Sequence, residues 1–185
     1  VSEDVPDLQV RRALPQDAET ISALAMHVFF DTYAENGMRA DLAREAFQNY
    51  SADVFRERLK NVDRLVLAAE RQGSLTGFAD FRTEPTTPSV GGCHGIEIVH
   101  LYVQPPFQRR GVGRMLLSAV CSWAADHGHS GIWLTTWCEN RKALAFYHRQ
   151  GFQDIGPIPF VFEDQVYENR LMLKRITCVQ STSDR

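Results

Sequence analysis

The sequence predicts an α/β domain, more narrowly α+β, with a mixed, mainly antiparallel central sheet flanked by helices. Three observations predict it. The elements run strand, helices, a series of antiparallel strands, then strand, helix, strand, helix and closing strands. Apolar residues at Ile21, Leu24, Ala25, Val28 and Phe29 recur at helical spacing. The apolar run Ile96 to Val103 feeds a glycine loop, Gln108-Arg109-Arg110-Gly111-Val112-Gly113, that opens another helix.

Taken in order, Leu8 to Ala13 reads as a short strand ended by Pro15, and the periodic segment after it as a helix with its apolar face in the core. A second helix covers Asp41 to Tyr50, and Ser51 is the N-cap of a third that runs to Lys60. Leu65 to Glu70 and Leu75 to Phe81 flank Arg71-Gln72-Gly73-Ser74, a hairpin turn. Thr83 to Gly95, with two prolines and three glycines, reads as a long loop. Ile96 to Val103 is a strand, Arg114 to His127 a helix, Ile132 to Trp137 a strand and Arg141 to Gln150 a helix. Phe152 to Ile155 and Val166 to Leu173 then close the sheet. Residues 1–176 are expected to form one domain, and Thr177 to Arg185 a polar tail.

Composition narrows the function classes. A chain of 185 residues, 44% hydrophobic and 23% charged, can bury a core without staples. Its net charge of -3 gives no basic field for nucleic acid. Cys93, Cys121, Cys138 and Cys178 form no Cys-x-x-Cys pair, so no metal site is expected and reduced thiols in a cytoplasmic protein are. No apolar stretch approaches the roughly 20 residues that cross a bilayer, and Val1 to Asp7 lacks the features of a secretory signal. No membrane partner is expected.

A strand, a glycine loop and a helix in succession leave backbone N–H groups without partners at the positive end of a helix dipole. Such a place holds anions, and a pyrophosphate fits it. The glycines allow close backbone approach, and Arg109, Arg110 and Arg114 add charge at the rim. An ordinary Arg-Gly turn before a helix is the plainer reading of the hexapeptide alone. A Walker A loop is excluded because no Lys follows Gly113, and a dinucleotide fingerprint because Leu116 stands where its third glycine would. Further along, Asn140, Ala143 and Tyr147 are spaced by three and four residues, which puts them on one helical stripe. Tyr147 reads as a ligand-facing phenol or as a core aromatic beside Phe146, and Asn140 as an N-cap, a role compatible with ligand contact.

Together these segments resemble the GNAT superfamily of acetyl-CoA-dependent N-acetyltransferases. The resemblance runs from Ile96 to Phe152: Glu97-Ile98-Val99-His100-Leu101-Tyr102-Val103, then Gln108 to Gly113, then Asn140-x-x-Ala143-x-Ala145-Phe146-Tyr147, then Gly151-Phe152. It implies a single GNAT-like domain whose strand Ile96 to Val103 splays from Ile132 to Trp137, so that free backbone groups of Leu101, Tyr102 and Val103 pair with the pantetheine arm. It implies that the loop Gln108 to Gly113 holds the CoA pyrophosphate, and that Asn140 and Tyr147 serve the cofactor arm and the thioester. The co-substrate it implies is acetyl-CoA. Dimers are frequent in the superfamily, so a homodimer is an expected assembly.

The chemistry sets two further requirements. An alkyl amine of pKa about 10.4 is neutral in only about one molecule in 2,500 at pH 7, a deficit of roughly 4.6 kcal/mol. A base or a desolvating groove must supply the free amine. Glu97 is the first candidate by resemblance, His100 the second; a strand Glu paired with an Arg, and a structural His, are the plainer readings. The leaving thiolate needs a donor, and Tyr147 fits. Full proton transfer from a phenol to a thiolate is uphill by roughly 2 kcal/mol, so Tyr147 stabilises the thiolate or relays a proton. The resemblance puts the acceptor against the first helices, at Phe29-Phe30-Asp31-Thr32-Tyr33-Ala34-Glu35 and the loop Thr83 to Gly95. Phe30, Asp31 and Tyr33 are the candidates there, and the run Phe30 to Ala34, followed by Asn49-Tyr50-Ser51, loosely resembles the small-molecule and polyamine branch more than the protein-lysine branch. Asp31 and Glu35 either hold a second ammonium or form a solvated face. Trp137 either walls the groove or fills the core. The expected function is acetyl transfer from acetyl-CoA to a primary amine of a small molecule by direct attack on the thioester. The alternatives are a non-catalytic acyl-CoA sensor module and a protein-lysine or N-terminal acetyltransferase.

Overall fold

The computed structural model describes residues 7–85, 95–162 and 165–176. Most of the loop Thr83 to Gly95 and the polar tail Thr177 to Arg185 lie outside the described residues. The chain divides into two compact units, Val1–Thr83 with Ile98–Ala119, and Glu84–Glu97 with Val120–Arg185. Strand β4 (Ile96–Val103) and helix α4 (Val112–Asp126) each run unbroken from one unit into the other.

In the first unit, β1 (Leu8–Arg12), β2 (Arg64–Arg71), β3 (Ser74–Arg82) and residues 98–103 of β4 form an antiparallel meander. The β2–β3 turn is tighter than the four residues expected. Gln72 and Gly73 alone turn the chain, with φ of 50° and 74°, which matches the right-handed strand twist. Three helices cover this meander: α1 (Ala18–Tyr33), α2 (Ala40–Asn49) and α3 (Ala52–Lys60). Helix α1 packs on α3 and β3, and α3 on β2. The apolar stripe Ile21, Leu24, Ala25, Val28 and Phe29 is buried as the spacing predicts. Phe55 of α3 is fully buried edge-on to Phe78 of β3, with ring centroids 5.7 Å apart.

Ser51 caps α3 as expected, its Oγ accepting from the Val54 N–H at 3.4 Å. Ser51→Ala is expected to cost about 1 kcal/mol, read as a lower urea midpoint with an unchanged slope. An unaltered midpoint would show that water caps the helix equally well.

In the second unit, Ile96 and Glu97 of β4 pair in parallel with Ile132 and Trp133 of β5 (Gly131–Trp137), and no other pairing joins these strands among the described residues. β5 pairs antiparallel with β7 (Gln165–Arg175), and β7 with β6 (Gln153–Phe162). The sheet is thus mixed and mainly antiparallel, with seven strands in the order β1-β2-β3-β4-β5-β7-β6. β6 is longer than Phe152 to Ile155 predicts. It continues through Pro157 and Pro159, which an edge strand tolerates because it needs no second ladder. Trp133, Leu171 and Leu173 form one buried apolar cluster of this unit, with Ile155 and Ile158 packed on it. Helix α5 (Arg141–Arg149) returns to β6 through Gly151, whose φ of 84° favours glycine.

Candidate functional site

The first unit carries the glycine loop at the C-terminal end of β4. Leu101, Tyr102 and Val103 are half-buried and pair with Ala79, Phe78 and Gly77. β3 and β4 come very close there. A Cβ on Gly77 would stand 2.7 Å from the Tyr102 carbonyl oxygen and 3.3 Å from both the Val103 Cα and the Leu116 Cδ1. After Val103 the Gln104 N–H donates to the Thr76 carbonyl at 2.9 Å, and Pro105–Phe107 make one tight helical turn. Gln108 folds back, its Nε2 donating to the Val103 carbonyl at 3.1 Å.

Arg109 and Gly111 then take positive φ, 61° and 89°, so the backbone curls before α4 starts at Val112, two residues earlier than expected. Gly113 therefore lies within the first helical turn rather than ahead of it. The first intrahelical bond runs from the Met115 N–H to the Gly111 carbonyl at 3.0 Å, so the amides of Val112, Gly113 and Arg114 precede it. Gln108, Arg109, Arg110 and Arg114 are exposed, Val112 is buried, and no described atom lies within 4 Å of a Cβ built on Gly111. These residues fit a pyrophosphate: free amides, a dipole end, cationic side chains and open space for close approach.

A second group in the same unit was not foreseen as a group. Asp80, in the middle of β3, is fully buried. Arg64 of β2 donates to it twice, from Nε at 3.1 Å and from Nη2 at 2.6 Å. The His100 Nδ1 lies 3.0 Å from the Asp80 Oδ2, and the Arg58 Nη1 lies 4.0 Å from the same oxygen. Burial alone would raise the Asp80 carboxyl, but His100 and Arg64 outweigh it and hold it below the usual carboxylate value. Burial pulls the Arg58 guanidinium down, against the attraction of Asp80.

Aromatic rings surround the imidazole. Tyr50, Tyr102 and Phe78 have ring centroids 5.5, 5.3 and 6.3 Å from His100. The Tyr50 and Tyr102 hydroxyls are hydrogen-bonded at 3.2 Å. The Phe29 ring joins this wall to α1, with centroids 5.1 Å from Tyr50, 5.0 Å from Tyr33 and 5.7 Å from Phe30. Of the expected acceptor residues, Phe30 is half-buried while Asp31 and Tyr33 are exposed. Glu35, beyond the end of α1, is exposed too.

The second unit carries the other expected residues. Glu97 is half-buried opposite Trp133, and Trp137 is half-buried opposite Asn169. Asn140 is the N-cap of α5, its Oδ1 accepting from the Ala143 N–H at 3.1 Å. Ala143 is half-buried. Tyr147 is buried, with edge contacts to Phe146 and Phe152 at centroid distances of 5.2 and 5.4 Å. Among the described residues no three His, Cys, Asp or Glu side chains could hold a metal ion, and no helix is long and apolar enough to cross a membrane. His127 is exposed and stacks on Trp123 at the end of α4, with centroids 4.0 Å apart.

The Acetyltransferase (GNAT) family model matches residues 27–152. The uncharacterized N-acetyltransferase YhfO of Bacillus subtilis (strain 168) is 30% identical over 148 residues, which span 80% of this chain and 91% of that protein. The crystal structure of the PaiA N-acetyltransferase from Thermoplasma acidophilum, in complex with coenzyme A, superposes with a TM-score of 0.75 at 21% identity. It covers 91% of this chain and 99% of that one. The yncA structure from Salmonella typhimurium with acetyl-CoA has a TM-score of 0.64 at 23% identity, over 91% and 94% of the two chains.

Proposed function

This chain belongs to the GNAT acetyltransferase family and is an acetyl-CoA-dependent N-acetyltransferase, and from that premise we propose that its acceptor is a primary amine of a small molecule. The observation that carries the reading is the aromatic wall of Phe29, Tyr33, Tyr50 and Tyr102 on the helical side of β3 and β4. Aromatic faces attract an ammonium ion while excluding water from it. That favours a compact cation over a long polypeptide. Asp31, exposed at the end of α1, adds negative charge near Tyr33 and suits a second ammonium, as in a polyamine.

The remaining roles are those that the family resemblance assigns to the residues present. Acetyl-CoA supplies the activated acyl carbon and a thiolate leaving group. The amides of Gly111, Val112, Gly113 and Arg114, with Gln108, Arg109 and Arg110, hold the pyrophosphate. The backbone of Leu101, Tyr102 and Val103 holds the pantetheine arm as an added strand, and an N–H there polarises the thioester carbonyl. The family resemblance assigns Asn140 and Ala143 to the cofactor arm. Tyr147 donates a hydrogen bond to the sulfur. A base on β4 frees the amine; Glu97 is the residue to which the family pattern points.

Calorimetric titration of acetyl-CoA, followed by a screen for CoA release with polyamines, amino acids, aminoglycosides and lysine peptides, tests this reading. Turnover of small amines is the expected result. Binding without turnover would make the chain a sensor module, and turnover of peptides alone would make it a protein acetyltransferase. Tyr147→Phe should lower the single-turnover chemical rate by on the order of 10²-fold and leave acetyl-CoA binding nearly intact. An unchanged rate would remove Tyr147 from the mechanism.

A further inference from the structure

We propose that His100, held by the buried Asp80, is the base that takes the proton from the acceptor ammonium; this rests on the acetyltransferase reading above. Three observations carry it. First, the hydrogen bond to Asp80 engages Nδ1, which fixes the ring and leaves Nε2 as the nitrogen that can meet a substrate. Second, the His100 side chain is 10% exposed while Asp80 is 0% exposed, so the ring reaches the surface and the carboxylate behind it does not. Third, His100 directly precedes Leu101 to Val103 on β4. Glu97 lies four to six residues from that segment, roughly 13–20 Å along an extended strand.

The charges around the ring suit a base. A carboxylate against Nδ1 stabilises the imidazolium as it forms, as an orienting acid does for a histidine base elsewhere. Arg58 and Arg64, on α3 and β2, share the same carboxylate, so His100 is one of three cationic or basic groups gathered on Asp80. Tyr50 and Tyr102 face the ring from the α2–α3 junction and from β4, and Phe78 from β3; Glu45 of α2 acts on Tyr50. These rings exclude water from the amine that Nε2 deprotonates.

The proton balance is simple. The ammonium gives one proton to Nε2. The freed nitrogen lone pair forms the C–N bond to the acetyl carbon as the C–S bond breaks. A second nitrogen proton is lost as the amide forms, and the departing sulfur gains one. Nε2 then releases its proton to solvent, so each turnover yields one amide, one thiol and one proton.

The experiment compares His100→Gln, Glu97→Gln and Asp80→Asn with wild type in kcat/KM against pH, on whichever amine the screen finds best. His100→Gln should abolish the acidic limb and lower kcat/KM by about 100-fold, with calorimetric acetyl-CoA affinity within about twofold of wild type. Asp80→Asn removes the charge that favours the imidazolium, so its limb should move to lower pH with a reduced plateau. A merely structural His100 would lower the plateau and leave the limb where it was. Retention of the limb in His100→Gln, with its loss in Glu97→Gln, would overturn the assignment and leave the acetyltransferase reading standing. Absence of wild-type turnover on every amine would overturn both. A readout free of turnover is the tautomer of His100 in 15N-histidine-labelled protein by NMR. Protonated Nδ1 with bare Nε2 at neutral pH supports the assignment, and the opposite tautomer overturns it.

Discussion

Asp80→Ala is expected to cost about 3–5 kcal/mol of folding stability, which is a large fraction of the roughly 5–15 kcal/mol that holds a domain folded. The reason is the charge left behind. The Asp80 side chain is fully buried, and the Arg64 and Arg58 side chains are only 12% and 17% exposed. Removing the carboxylate leaves two guanidinium groups facing one another across a cavity, and His100 without its hydrogen-bond acceptor. The Arg58 Nη1 is already buried with no hydrogen-bond partner among the described residues, which leaves its stacking on the Phe55 ring at 5.0 Å. At 2–4 °C per kcal/mol for a chain of this size, the melting temperature should fall by roughly 10 °C.

The effect also has a pH signature. The folded Asp80 carboxyl titrates below its ordinary value. The unfolded chain therefore binds the proton first as pH falls, and the stability due to Asp80 is fully present above about pH 4 and lost below it. The gap in melting temperature between wild type and Asp80→Asn should narrow as pH falls below about 4. A constant gap down to pH 3 would show that shape rather than charge holds this cluster together.

Much of the arrangement was legible because its signals are local. The stripe from Ile21 to Phe29 fixes α1 by period, Ser51 and Asn140 announce helix starts by capping chemistry, and the glycines at 111 and 113 stand between a strand and a helix. The strand through Pro157 and Pro159 was not legible, because proline argues against a strand unless its edge position is known, and edge position depends on pairing with β7. Asp80 was hidden for a similar reason. In Leu75 to Phe81 it reads as a polar interruption of a buried strand, and its partners lie 16 residues before it and 20 after it. His100 ranked second to Glu97 because a strand histidine acquires meaning only through the carboxylate beside it. Gly77 carried no signal at all, since a glycine within a strand reads as a weak point until the neighbouring backbone is seen.

That neighbouring backbone makes Gly77→Ala the most informative substitution for co-substrate binding. The added Cβ would meet the Tyr102 carbonyl oxygen at 2.7 Å, and because that atom is backbone it cannot rotate away. β3 and β4 must move apart at Leu101 to Val103, the segment proposed to pair with the pantetheine arm. Overpacking of this kind costs about 1–3 kcal/mol of stability. Acetyl-CoA affinity should fall by about tenfold or more, at 1.4 kcal/mol per tenfold, because a strand-like contact depends on the spacing of successive amides and carbonyls. Gly128→Ala is the matched control. Gly128 has a φ of 76° with no atom within 4 Å of its Cβ position, so alanine there is strained and clashes with nothing. It should lower the melting temperature by a few degrees, in line with the roughly 1–2 kcal/mol cost of a left-handed residue, and leave acetyl-CoA affinity unchanged. Equal loss of affinity in both variants would trace the effect to general loosening of the fold, and wild-type affinity in Gly77→Ala would separate the Leu101 to Val103 backbone from acetyl-CoA altogether.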